Sequence, residues 1–298
     1  MNPHCLRRRY SGLTLVELLV ALFLVGVLVA LLIPAIQWAR ESARRMQCQN
    51  HQRQWGIAVS NYEGVYREFP PSSRAVPVES SAITLLLPYV EGSSVAYDLD
   101  FSWSDLENRN AVSVVIPFLQ CPSSPSNGMV DYSYSFGPAT GDYAPAHGVA
   151  ASYCALAGWP TFAPPDFNGI LTPLPCSTGN VTDGLSQTVL FVEDAGRPYL
   201  WRMGRQVEGI AKHGAWANPE YEVAINGSDR LVQGSGEGGG TCIMNCTNDN
   251  ETYSFHPGGA NLLFGDGSVH FVSQQIEPRV FAAMITRASS DLVTLPGR

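Results

Sequence analysis

The sequence predicts an α+β protein in which one long N-terminal helix, apolar in its first half and amphipathic in its second, packs on an antiparallel β-rich head. Three observations predict it. Leu13 to Ile33 is an apolar run of 21 residues with a single charge, Glu17. From Gln37 to Tyr62 there is no proline, and helix formers carry an apolar stripe through Trp55, Val59 and Tyr62 at i, i+4, i+7. After Pro70-Pro71 the chain falls into short apolar runs cut by Gly, Pro, Ser and Asn, as strands joined by turns do.

The first element matches one crossing of a hydrocarbon core about 30 Å thick at 1.5 Å per residue. A carboxylate inside such a run costs about 2.5–3.5 kcal/mol on insertion scales, so Glu17 calls for a use. Arg7, Arg8 and Arg9 precede the run and orient that end toward the cytoplasm. Arg40, Arg44 and Arg45 blur the asymmetry, with Glu41 offsetting one of them. Residues 35–298 are nevertheless placed outside the inner membrane. Pro34 follows the run, and its missing N–H and ring clash loosen a helix at that point. The expected organisation is 1–12, a leader; 13–33, a transmembrane helix; 34–62, an amphipathic helix; and 63–298, a β-rich extracytoplasmic head.

An ordinary secretory signal has a shorter apolar core, no acid in it and a small-residue cleavage site after it. Here Gly12 lies before the run, followed by Leu13-Thr14-Leu15-Val16-Glu17. This resembles the type IV prepilin signal. The resemblance implies cleavage by prepilin peptidase after Gly12 and methylation of the new Leu13 amine. It also implies that Glu17 meets the N-terminal amine of a neighbouring subunit. Leu13 departs from the commoner phenylalanine at that place.

The 298 residues, 45% of them hydrophobic, suffice for a real core, and the net charge is −8. Loss of Arg7–Arg9 with the leader makes it three units more negative. Such a balance argues against nucleic acid as partner, since phosphate binding needs clustered Lys and Arg. Of seven cysteines, Cys5 lies in the leader. The other six (Cys48, Cys121, Cys154, Cys176, Cys242, Cys246) face an oxidising compartment, where disulfides persist, and the sequence leaves all 15 pairings open. A zinc site at Cys242-x3-Cys246 lacks a second matching pair.

Candidate strands are 83–87, 112–118 (where Pro117 implies an edge or an end), 188–192, 261–264 and 268–272. Many glycines fall in 204–240, and 234–240 reads as a loop or linker. The runs 261–264 and 268–272 flank Gly265-Asp266-Gly267, a hairpin signal. His256 precedes Asp266 with nine residues between them. Cys48, Asn61-Tyr62, Phe69-Pro70-Pro71, Leu85 to Tyr89, Cys121-Pro122-Ser123 and Asn168-Gly169 accompany it. Together these resemble a family of bacterial prepilin-like proteins of unknown function, named for a C-terminal His-x(9)-Asp-Gly signature and grouped by name with extracellular solute-binding proteins.

A hydrolase triad on His256 and Asp266 finds no nucleophile in a G-x-S-x-G or strand–turn–helix setting. The structural reading is that Asp266 and Gly267 form the turn while His256 ends a strand and caps or hydrogen-bonds the hairpin, and no enzyme activity is expected. Asn248, Asp249, Asn250 and Glu251 cluster oxygen ligands, and pseudopilins of type II secretion bind calcium. That makes calcium at Asp249 and Glu251 the one cofactor alternative, although EF-hand spacing is absent. The expected function is a membrane-anchored type IV pilin or type II secretion pseudopilin-like structural subunit. Its partners would be prepilin peptidase, the inner membrane and other pilin-like subunits met through the N-terminal helix. The alternative is an anchored solute- or partner-binding protein that does not assemble.

Overall fold

The computed structural model describes residues 14–91, 94–126, 128–150, 153, 167–211, 213–229 and 240–289. The chain divides into two compact units, Met1–Ala43 and Arg44–Arg298. Helix α1, Leu15–Tyr66, begins in the first unit and ends in the second. Its apolar side chains from Leu15 to Ile33 are exposed, and among the described residues α1 is the helix long and apolar enough to cross a membrane. Pro34 lies inside it. The expected end near Tyr62 moves to Tyr66, where Arg67 turns left-handed at φ 61°, a common way to close a helix.

In the second unit α1 buries Cys48, Gln52, Trp55, Gly56, Ala58 and Val59. They face a five-stranded sheet of order β7-β3-β4-β8-β9. Its strands are β3 (Tyr143–Val149), β4 (Val189–Glu193), β7 (Val223–Ile225), β8 (Gly259–Phe264) and β9 (Val269–Ser273). Trp55 stacks on Phe191 of β4 at 6.3 Å between ring centroids and donates its indole N–H to Phe118 O at 2.9 Å. At Gly56 a Cβ would stand 3.0 Å from Leu263 Cδ1 and 3.3 Å from Gly267 Cα, so the missing side chain lets helix and sheet approach. Arg45 lies over the Phe271 ring at 3.9 Å, covering β9 with a cation–π contact.

The hairpin and the TVLFV strand stand where the sequence placed them. Other expectations are corrected. Residues 83–87 are helical, in α2 (Ala82–Leu86), with Ser81 Oγ accepting from Thr84 N. All five α2 residues are buried, and an apolar run covered on every side carries no period to separate helix from strand. Residues 112–118 form no strand: α3 (Arg109–Val112) ends there and Pro117 opens a 3-10 turn through Leu119. The sheet is not wholly antiparallel, because β7 pairs with β3 in parallel. The glycine-rich 204–240 region holds β7 and most of a two-stranded ribbon, β5 (Tyr199–Arg202) with β6 (Arg205–Ile210). The expected loop 234–240 lies outside the described residues save Gly240. A short ribbon of β1 (Ser73–Arg74) with β2 (Ser80–Ser81) and a buried helix α4 (Pro278–Ile285) complete the head.

Candidate functional site

Two places carry candidate chemistry. At the start of the chain, Gly12 and Leu13 lie outside the described residues. Just after them, Thr14 N–H donates to Glu17 Oε2 at 2.8 Å, Thr14 Oγ1 donates to the same oxygen at 2.9 Å, and Glu17 N–H donates to Thr14 Oγ1 at 3.3 Å. This is a capping box: the threonine and the glutamate three residues on satisfy each other's backbone donors. The pattern Thr14-x-x-Glu17 was readable in the sequence and gives Glu17 a partner within its own chain.

The second place is buried in the head. Cys48 of α1, Cys121 after the 3-10 turn, Glu193 at the end of β4 and His256 before β8 place their ligand-type atoms within 4.8 Å of one another. The two sulfurs are 2.7 Å apart; His256 Nε2 is 3.5 Å from Cys121 Sγ and 3.6 Å from Glu193 Oε1. Each position has a local cause. Cys121 is held through its own N–H, which donates to Asp142 Oδ2 at 2.8 Å, while Gly196 N–H and Ser124 Oγ donate to Oδ1. Glu193 accepts from Asn261 N at 3.1 Å, from Asn261 Nδ2 at 3.0 Å and from the Ser254 hydroxyl. Asn261 in turn receives Gln52 Nε2 on its carbonyl and Gln49 Nε2 on its side-chain oxygen, so the network returns to α1.

Burial governs the charges. It pushes the Glu193 carboxyl up, against the pull of His256 and of the Ser254 and Asn261 hydrogen bonds. The Cys121 thiol rises well above its ordinary value through burial and then the Cys48 contact, with His256 opposing. Asp142 is pushed up to about 6 by burial, although the Cys121 and Gly196 amides and Arg197 hold it down. His256 Nε2 faces both Cys121 Sγ and Glu193 Oε1, whereas a nucleophile–base–orienter triad uses the two ring nitrogens separately. The side chains of His256 and Glu193 and the whole of Cys121 are fully buried.

His256, just before β8, is a member of this core cluster. Asp266 is exposed at the far end of β8 and shares no site with it. There Asp266 Oδ1 accepts from Ser268 N and Oγ at 2.9 and 2.6 Å, and Gly267 takes φ 81°, a three-residue loop closed by a left-handed glycine. Asp249 and Glu251 are buried rather than presented on a loop surface. Glu251 Oε1 accepts from Asn226 N at 2.9 Å, and burial raises its carboxyl well above the ordinary range, with Asp194 and Asp249 adding to the rise. Asp194, ion-paired to Arg197 at 3.1 Å, is pushed up to about 8 by burial. Cys242 and Cys246 form a disulfide, which removes them as zinc ligands, and Cys176 is buried. Cys154 lies outside the described residues.

Sequence reasoning singled out Cys48, Cys121-Pro122-Ser123 and His256 separately and did not foresee that they meet, nor that Glu193 joins them. Separations of 73 and 135 residues hold no spacing signal. The family model described as "Protein of unknown function (DUF1559)" matches residues 37–279, and the model described as "Prokaryotic N-terminal methylation motif" matches residues 7–33. No curated protein and no solved structure matches the chain.

Proposed function

The chain belongs to the DUF1559 family of proteins of unknown function, and from that premise we propose that it is a structural subunit of the type IV pilin or type II secretion pseudopilin kind. The N-terminal methylation motif makes it a type IV pilin-like protein processed by prepilin peptidase, and with α1 it makes it a membrane-anchored single-pass protein. Beyond that, the cut falls between Gly12 and Leu13 and frees a methylated Leu13 amine. The N-terminus faces the cytoplasm and the head lies outside. Neighbouring subunits pack through the apolar half of α1, and Glu17 pairs with the Leu13 amine of a neighbour.

The observation that carries this reading is Glu17, the single charge in the apolar run that follows Gly12. A carboxylate in the bilayer keeps its charge cheaply only beside a cation. The capping box favours the second reading, a solitary anchored protein, because it gives the acid an intrachain use. Glu17→Gln separates the two, since its amide oxygen still accepts the Thr14 N–H but carries no charge. Crosslinking between neighbouring N-terminal helices in membranes is expected to fall at least tenfold in Glu17→Gln while membrane insertion is unchanged. Equal crosslinking in both proteins overturns the pairing of Glu17 with a neighbour's amine, and none in the wild type selects the solitary anchor. The enclosed Cys121–His256–Glu193 contacts support a non-enzymatic head.

A further inference from the structure

We infer that Cys48 and Cys121 are joined by a disulfide in the matured protein, a covalent clasp that fastens the Arg44–Tyr66 part of α1 to the head. The structure holds the two as thiols with sulfurs 2.7 Å apart. Unbonded heavy atoms rest at roughly 3.5–4.0 Å, so this contact is not a resting place for two thiols. Two chemistries relieve it. A disulfide brings the sulfurs to about 2.05 Å. A shared tetrahedral metal ion, with metal–sulfur bonds of about 2.3 Å, spreads them to about 3.8 Å.

The rest of the cluster chooses between these. Glu193 already receives Asn261 N, Asn261 Nδ2 and the Ser254 hydroxyl, and His256 Nε2 faces its Oε1. Its oxygens are satisfied by protein donors, leaving little for a metal. Closing the disulfide moves the sulfurs by roughly two thirds of an ångström; a metal site would open them by about one and draw the wider edges of the quartet inward as well. An extracytoplasmic head also lies where disulfides persist. The inference rests on the head's geometry and on the extracytoplasmic placement proposed above, and does not depend on assembly through α1.

Formation is a two-electron oxidation. The Cys121 thiol loses its proton with His256 Nε2 alongside, and the thiolate attacks a disulfide-bearing oxidant of that compartment to give a mixed disulfide. The Cys48 thiolate then displaces the oxidant, which leaves as a dithiol carrying both electrons and both protons. This takes place as the head closes, before burial seals the pair. It assigns the motif histidine a place beside the clasp.

The test uses the full chain, isolated in detergent from membranes alkylated with N-ethylmaleimide under denaturing conditions at lysis. Peptide mapping is expected to recover the Cys48 and Cys121 peptides as one linked species that takes label only after reduction. Label on both without reductant overturns the inference. So does label that appears only after chelation, with an equimolar metal ion, or linkage of either residue to Cys154 or Cys176. A second measurement covers the case of scrambling during isolation. In Cys242→Ala/Cys246→Ala protein, reductant is expected to lower the head's melting midpoint by several degrees, and adding Cys48→Ala/Cys121→Ala abolishes that response. A midpoint indifferent to reductant in the first of these proteins overturns the inference.

Discussion

Gly26 and Gly56 sit thirty residues apart in one helix and show how differently its two parts are used. Around Gly26 a Cβ would meet nothing within 4 Å, whereas at Gly56 it would meet Leu263 and the Gly267 backbone at 3.0 and 3.3 Å. The apolar part reads as hydrophobic on every side and leaves its side chains exposed; the part beyond Arg44 is polar in sequence and buries a narrow face. Hydrophobicity alone therefore misleads about packing, because an all-round apolar helix is made for lipid or for other helices, while a single stripe is made for one sheet.

The comparison predicts effects of unequal size. Trp55→Ala removes the stacking on Phe191 and the bond to Phe118 O, and is expected to destabilise the head by about 3–5 kcal/mol, read from denaturant unfolding. Leu22→Ala, at an exposed position of the apolar part, is expected to leave that curve unmoved. Gly56→Val overpacks the contact with β8 and is expected to destabilise the head by about 1–3 kcal/mol, whereas Gly26→Val leaves it unchanged. Equal losses at the two glycines would break the comparison.

How legible these regions were follows the range of the signals. The apolar run, the helical stripe and the hairpin are local patterns with periods of 3.6 and 2, and α1, β8 and β9 follow them. Leu85 and Leu86 were misread as strand because α2 is buried on all sides. The parallel pairing of β7 with β3 joins segments far apart in sequence and leaves no local trace. The Cys48–Cys121–Glu193–His256 cluster was invisible for the same reason, each member arriving from a different element. The Thr14–Glu17 capping box is a local i, i+3 pattern and is legible in the sequence.

Two smaller effects sharpen the account of the head. Gly267→Val forces a β-branched residue into φ 81° and is expected to cost about 1–2 kcal/mol, with the loss confined to the hairpin; a neutral result would mean the loop re-forms without a left-handed residue. The smallest concerns pH. Asp194 is pushed up to about 8 by burial, with Arg197 opposing and Asp249 and Asp142 adding to the rise. A carboxyl raised above its unfolded value favours the folded state at low pH and loses that contribution as pH climbs through the folded value. Between pH 7 and 9 the head is expected to lose about 1 kcal/mol, a few degrees in melting midpoint. Asp194→Asn should flatten that slope; a flat profile in the wild type would show Asp194 ionised throughout.

If the apolar part of α1 begins the mature form of a processed type IV pilin-like chain, the mass of the mature N-terminal peptide reports it. Protein recovered from membranes of a host with active prepilin peptidase is predicted to start at Leu13 with one methyl group on its amine and to hold 286 of the 298 residues. A larger residue at Gly12 is predicted to leave Met1 in place. An intact Met1 in the wild type under the same conditions, or a start beyond Ile33, would contradict the claim.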